Sequence, residues 1–302
     1  MGAHQSPADQ RPGTGPRDTG TGVVSGAEVD LYDRHPINAE QVLAAVAAAG
    51  GDPQRPGAAD LRPHDQDHYG GVEAVLALAA AAGIADGQTI ADICAGIGGP
   101  ARLIAERWPG VRVVALDLNE GRCRDARWLN RLVGLDGRVS VVRADAQRVP
   151  LSASGIDVAI SQEAMLHIPD KLAVMRSVLA ALKPGGRFAF TDLVAAPALT
   201  ESERQAIATG GMQMVNIQST AQYRKMSVAA GFEVVQVDDL SADWVGILTE
   251  RMEMYRSLRQ ATLDVHGGDA HDRYMAGYEV FVGLVRAGHL GGARIVLRRP
   301  LD

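Results

Sequence analysis

Residues 89–108 constrain the chain more than any other stretch. Thr89-Ile90-Ala91 is a short apolar run, Asp92-Ile93-Cys94-Ala95-Gly96-Ile97-Gly98-Gly99-Pro100 follows it, and Ala101 to Trp108 carries a helical pattern. A strand, a glycine-rich turn and a helix in that order define an α/β chain whose strand ends face a ligand crevice. Glycine permits positive φ and close approach of a ligand to the main chain. The first turn of the following helix offers N–H groups that no carbonyl of the helix can satisfy. The same rhythm recurs downstream. Val113 to Leu116 ends at Asp117, Val139 to Ala144 ends at Asp145, and Ile156 to Ser161 leads into Gln162-Glu163. Helices are expected over 100–108, 119–133 and 170–182. Leu182-Lys183-Pro184-Gly185-Gly186 reads as a helix stop before a strand from Arg187 to Asp192.

Two ligand classes suit such a turn. Gly96-Ile97-Gly98-Gly99-Pro100-Ala101 fits the dinucleotide fingerprint G-x-G-x-x-G/A, which alone is a weak signal. Asp117 suits ribose hydroxyls in either reading. Asp92 separates them. An acid four residues before Gly96, at the strand end, repels a pyrophosphate but suits a ligand ammonium. S-adenosylmethionine has no phosphate, and it carries both an ammonium and a sulfonium. Asp145, closing the third strand, suits the adenine amine.

The series Asp92-x-x-x-Gly96-x-Gly98-Gly99, Asp117, Asp145, Gln162-Glu163 and Lys183-Pro184-Gly185-Gly186 resembles class I S-adenosylmethionine-dependent methyltransferases over about residues 65–195, and more loosely over the C-terminal third. Asp67-His68-Tyr69-Gly70-Gly71-Val72-Glu73-Ala74 is similar to the segment before the donor-binding strand in small-molecule members, such as glycine/sarcosine, natural-product and sterol methyltransferases. One departure is Cys94-Ala95, which replaces the commoner Gly-Cys order. The resemblance implies a Rossmann-like seven-stranded methyltransferase sheet with helices on both faces and a helical cap. It also implies a last strand, Ala293 to Leu297, lying antiparallel at the edge beside the sixth, Phe232 to Val237. S-adenosylhomocysteine would be the product, and no metal is required.

Composition bounds the partners. Of 302 residues, 46% are hydrophobic and 22% charged, the balance of a globular enzyme. A net charge of −6 lacks the basic excess of a nucleic-acid binder. Two cysteines, Cys94 and Cys123, form neither a disulfide framework nor a zinc spacing and suit the cytoplasm. No apolar run of about 18 residues suggests a membrane span. Residues 1–25, rich in Gly, Pro and charge, are expected as a disordered tail. Residues 26–87 are expected as an N-terminal helical lid, with a loop over 50–62 and a helix over 72–82. The donor-binding domain is expected over 88–302, with cap insertions at about 195–226 and 243–290. The apolar faces of 72–82 and 243–290 could serve a homodimer as readily as a lid.

Each candidate has a chemical reason. Asp92, Ala95, Gly96 and Gly98 form the donor turn. Asp117 and Leu118 are expected at the ribose, Asp145 and Ala146 at the adenine, and Gln162, His68 and Tyr69 at the methionine end. His167 is the first candidate for a catalytic base, since an imidazole of ordinary pKa accepts protons near neutrality. Glu163 is the alternative, as a base or as a site for a cationic acceptor. A thioether acceptor would need neither. Met212, Met214, Tyr255, Tyr274 and Tyr278 are candidates for the acceptor pocket, and an aromatic content of 4% favours a small polar acceptor over a large aromatic cage. A nucleic-acid methyltransferase and a non-catalytic donor-binding regulator are the rival readings.

Overall fold

The computed structural model describes residues 37–195, 199–209, 216–257 and 268–301. The expected tail, Met212 and Met214 lie outside them. Seven strands form one sheet: β1 (Thr89–Ile93), β2 (Arg112–Asp117), β3 (Val139–Arg143), β4 (Ile156–Gln162), β5 (Leu182–Ala195), β6 (Glu233–Asp239) and β7 (Leu290–Arg298). Their order is β3-β2-β1-β4-β5-β7-β6. The first five pair in parallel, and β7 is antiparallel to both β5 and β6. The chain leaves β1 in one direction for β2 and β3 and returns on its other side for β4 and β5. A crevice therefore opens where the carboxyl ends of β1 and β4 diverge.

The last strand is not at the edge but between β5 and β6. Its residues explain why. Leu290 to Ala293 and Ile295 to Leu297 are buried, as an interior strand demands, whereas β6 exposes Glu233, Val235, Gln236 and Asp239. β5 is also longer than expected. The ladder joins Ile156 to Leu182 and then Val158 to Arg187, so Lys183-Pro184-Gly185-Gly186 bulges out of a continuing strand.

Ten helices surround the sheet among the described residues: α1 (Ala39–Ala48), α2 (Ala58–Leu61), α3 (Gly71–Ala82), α4 (Gly99–Arg107), α5 (Glu120–Leu132), α6 (Lys171–Ala181), α7 (Glu201–Thr209), α8 (Thr220–Ala230), α9 (Ser241–Ser257) and α10 (Gly268–Arg286). Local chemistry sets their ends. Asn38, Asn119 and Asp170 each cap a first turn with a side-chain oxygen, and Ser219 and Gln222 form a reciprocal capping box before α8. The stretch 50–62, expected as loop, contains the single turn of α2, where the Asp60 carboxylate accepts from Gly57 N at 2.8 Å.

Strand residues alternate between two cores. Ala91, Ile93, Phe188 and Phe190 pack with Val174, Met175 and Val178 of α6 and Tyr223 of α8. Ile90, Val113, Val158 and Ala189 pack with Val75, Leu78 and Ala82 of α3 and Ile104 of α4. The helix expected as part of a lid, at 72–82, is thus a layer of the sheet core. A third cluster forms the cap. Trp244 and Leu248 of α9 and Tyr278, Phe281 and Val282 of α10 meet Leu193 and Leu290 at the carboxyl end of β5. Trp244 lies directly on Gly292, where a Cβ would stand 2.4 Å from the ring. Among the described residues, the apolar faces of 72–82 and of the two cap helices are largely covered within the chain. Among the described residues, no helix is long and apolar enough to cross a membrane.

The segment between α2 and α3 is fixed by a buried ion pair. Arg102 of α4 is 2% exposed and donates to Asp65 through Nε at 3.1 Å and Nη2 at 2.8 Å. Its Nη1 donates to Ile97 O at 2.8 Å and Asn130 Oδ1 at 3.0 Å. Such a pair adds little net stability over apolar packing, but removing one partner strands the other. Arg102→Met is expected to destabilise the protein by about 3–5 kcal/mol in urea denaturation, and Asp65→Leu combined with Arg102→Met to recover most of that loss. Additive losses in the double variant would show that the pair is not coupled.

Candidate active site

The turn after β1 is built from unusual backbone. Gly96 and Gly98 have φ of 56° and 81°, and Cys94, without glycine's freedom, has φ of 60°. A left-handed non-glycine residue costs about 1–2 kcal/mol. Cys94 stands where the resembled pattern has glycine, so the departure noted in the sequence falls on a strained position. The turn is closed by Gly98 N donating to Ala95 O at 2.9 Å and by Ala95 N donating to Leu116 O at 2.8 Å. Asp117 joins it to the next crossover. One carboxylate oxygen accepts from Gly96 N at 2.8 Å and the other from Asn119 N at 2.9 Å. Burial raises the Cys94 thiol well above its usual range, aided by the Asp117 charge, which makes it a poor nucleophile.

Asp92 and Gln162 sit at the same edge with unmet polar atoms. Asp92 is 3% exposed, and its Oδ2 has no hydrogen-bond partner. Burial, with Asp117 adding repulsion, pushes its carboxyl up to about 8. Gln162 has both side-chain amide atoms buried and unpartnered. The ladder sets Asp92 opposite Ile160 on β4 and Gln162 opposite Thr191 on β5, so both lie at the carboxyl ends of the two strands that flank the switch. Buried polar atoms without partners are rare in folded proteins and call for a ligand or water.

The adenine-side candidates are held by local bonds. Asp145 caps the short helix Ala146–Arg148 and accepts from Gln147 N at 2.8 Å, and Ala146 beside it is buried. Leu118 is half-buried after Asp117 and accepts from Arg143 Nε at 3.1 Å.

The segment 65–69 lies across this edge. Gly99 makes it possible, because a Cβ there would fall 2.1 Å from Asp65 O. Asp67 meets Arg122 of α5 through Oδ2, and Arg122 in turn lies against Gly96. His68 is buried, with Nδ1 3.2 Å from Tyr69 O and Nε2 2.9 Å from Gln66 Oε1. Burial lowers its pKa to about 4, so it is neutral at physiological pH. Tyr69 N donates to Glu163 Oε2 at 2.7 Å. Its ring meets Trp244 edge-on at 4.9 Å and carries the Arg251 guanidinium at 5.3 Å.

Glu163 and His167 are both on the connection after β4. Glu163 has φ of 44°, and its N donates to Thr191 O at 2.9 Å. Burial pushes its carboxyl up to about 7, against the hydrogen bond from Tyr69 N and the nearby Arg251 charge. His167 ends the short helix Met165–His167 and is half-buried, and Asp170 caps α6 beyond it. Asp192 of β5, fully buried, fixes this connection by accepting from Leu166 N at 3.3 Å and from the Tyr223 hydroxyl. Of the acceptor candidates, Tyr255 and Tyr278 meet edge-on at 5.4 Å. Tyr274 is on α10, with its side chain outside the described residues.

Sequence reasoning missed Asp65, Asp67, Arg102, Arg122, Asp192, Trp244 and Arg251. The two acids at alternate positions before His68 were a usable signal. The arginines had none, since their partners are far away in the chain.

Residues 90–186 match the model of the methyltransferase domain family. The chain is 30% identical over 215 residues to dimethylglycine N-methyltransferase of Parasynechococcus marenigrum (strain WH8102), covering 71% of this chain and 76% of that protein. It is 31% identical over 196 residues to methyltransferase phqN of Penicillium fellutanum, covering 63% of this chain but only 56% of that longer relative. In fold it is similar to Haemonchus contortus phosphoethanolamine N-methyltransferase 2 in complex with S-adenosyl-L-methionine, with a TM-score of 0.72 and 23% identity over 92% of this chain and 61% of that one. With the sheet order, the glycine turn and the acids at the strand ends, these likenesses make the chain a member of the class I S-adenosylmethionine-dependent methyltransferase family.

Proposed function

We propose that the protein transfers the methyl group of S-adenosylmethionine to a nitrogen, oxygen or sulfur atom of a small-molecule acceptor. The observation that carries this reading is the buried, unpartnered Asp92 oxygen, with the unpartnered amide of Gln162 at the end of the neighbouring strand. A ligand cation beside Asp92 would supply the partner it lacks, and a pyrophosphate would not. Asp92 and Gln162 would hold the methionine end with His68, Tyr69 and the backbone of Ala95, Gly96 and Gly98. Asp117 and Leu118 would hold the ribose, and Asp145 and Ala146 the adenine. Bound there, the donor supplies a methyl group already activated by its sulfonium.

What remains for the protein is alignment, exclusion of water and, for a protonated acceptor, a base. Glu163 suits that last role better than His167. Its carboxyl titrates near neutrality, its backbone is held in a left-handed turn, and Tyr69 N fixes one of its oxygens. Arg251, Tyr255 and Tyr278 of the cap would face the acceptor, with Tyr274 and the segment containing Met212 and Met214 as further candidates. The domain limits follow the same logic: a donor-binding unit over 88–302, completed on one face of its sheet by the helix over 71–82, with 195–226 and 243–290 as its cap. A cytoplasmic location suits two cysteines that are both free.

The test is methyl transfer from methyl-labelled donor into separate pools of amino acids, amines, hydroxylated metabolites and total RNA, read by mass spectrometry. Label in a small-molecule pool is expected. Label in RNA alone would contradict the proposal. With the acceptor so identified, kcat is expected to rise with pH through about 7 and level off above it, because Glu163 must be ionised to accept a proton. Glu163→Gln keeps an oxygen for Tyr69 N but should lower kcat by roughly 100-fold or more and abolish that pH limb. A retained limb in Glu163→Gln, lost instead in His167→Ala, would assign the base to His167.

A further inference from the structure

The cap carries a half-buried cation with few partners among the described residues. Arg251, on the third turn of α9, has a side chain only 15% exposed. Among the described residues it makes one hydrogen bond, from Nη2 to Asp67 O at 3.2 Å. The nearest carboxylate oxygen, Asp67 Oδ1, is 3.9 Å away, and the other oxygen of that carboxylate is held by Arg122. One acid thus faces two guanidinium groups. A guanidinium has five N–H donors and stays protonated, and a single carbonyl bond leaves most of them available to an anion that enters beside it.

Its surroundings describe what that is. Tyr255, one turn on along α9, is on the same face as Arg251 and meets Tyr278 of α10 at 5.4 Å. Tyr69 lies under the guanidinium from the other side. Three of the chain's six tyrosines therefore gather at this cation, in a protein with only 4% aromatic residues. Tyr69 also fixes the distance to the chemistry. Its ring carries Arg251 while its backbone N–H holds Glu163. A cation and a titratable acid flank one residue at the open edge of the sheet.

We infer that Arg251, with the tyrosines around it, is the subsite for an anionic group of the acceptor, a carboxylate or a phosphate, whose methylated atom lies a few bonds away near Glu163. The inference rests on the proposed methyltransferase reading and narrows it to compact acceptors with an anionic end. The methionine carboxylate of the donor has the same chemistry, and the test separates the two.

S-adenosylhomocysteine is first titrated into wild type, Arg251→Met and Arg251→Lys by calorimetry. Each saturated protein is then titrated with dimethylglycine and phosphoethanolamine and with their uncharged-end counterparts, dimethylethanolamine and ethanolamine. Wild type is expected to bind one anionic probe at least tenfold more tightly than its counterpart. Arg251→Met should lose that preference, Arg251→Lys should keep part of it, and S-adenosylhomocysteine affinity should stay within twofold in all three. Loss of S-adenosylhomocysteine affinity in Arg251→Met would assign the cation to the donor carboxylate and overturn the inference. So would the absence of any preference, or of any anionic-probe binding, in wild type. Methyl transfer by wild type to an uncharged acceptor would sink this inference and leave the enzyme reading standing. Failure to bind S-adenosylhomocysteine at all would sink both.

Discussion

The contact between Asp65 and Gly99 governs the rest of the site. Helix α4 starts with its main chain directly against the Asp65 carbonyl, at a separation no side chain would permit. Arg102, one turn later, takes the Asp65 carboxylate into the interior. These two contacts set the segment 65–69 across the crevice. Asp67 then reaches Arg122 and Arg251, and Tyr69 reaches Glu163 and Trp244. Sheet, glycine turn and cap are joined through five consecutive residues. The third glycine of the turn therefore serves packing, while the first two shape the surface offered to a ligand.

Electrostatics at this edge are arranged around acids that are reluctant to ionise. Asp92 and Glu163 are shifted upwards to about 8 and about 7, in both cases chiefly by burial. Burial thus keeps Asp92 protonated at neutral pH, and a bound cation would reverse that balance. In folding terms the sign is unfavourable for function. A carboxyl whose folded pKa is raised stabilises the folded state below its unfolded pKa, near 4, and that contribution is lost as pH rises through about 8. Stability is given up at the site where a ligand charge is to be received, a common feature of active sites.

Local patterns in the sequence were sufficient for β1, its turn, the strand-end positions of Asp117 and Asp145 and the helix that starts at Asp170, because each depends on neighbours a few residues away. Period and composition also pointed to the helices over 72–82, 119–133 and 170–182. The position of β7 between β5 and β6 was not legible, since spacing does not distinguish an edge from an interior strand without its burial. The ion pairs were not legible either. Arg122 and Arg251 reach Asp67 from 55 and 184 residues away. The positive φ of Cys94 and Glu163 is imposed by tertiary packing against ordinary preference, and no propensity foretells it. Those two residues mark the ends of the strands that flank the crevice.

The central claim is that the buried Asp92 oxygen receives the ammonium of the donor. Calorimetric titration of S-adenosylmethionine at pH 7, in two buffers of different ionisation enthalpy, measures the protons exchanged on binding. A buried carboxyl at about 8 must ionise to meet the cation, so release of about one proton is predicted, and Asp92→Asn should release none while binding more weakly. Tight binding with no proton release by the wild type, or an unchanged release by Asp92→Asn, would contradict the account.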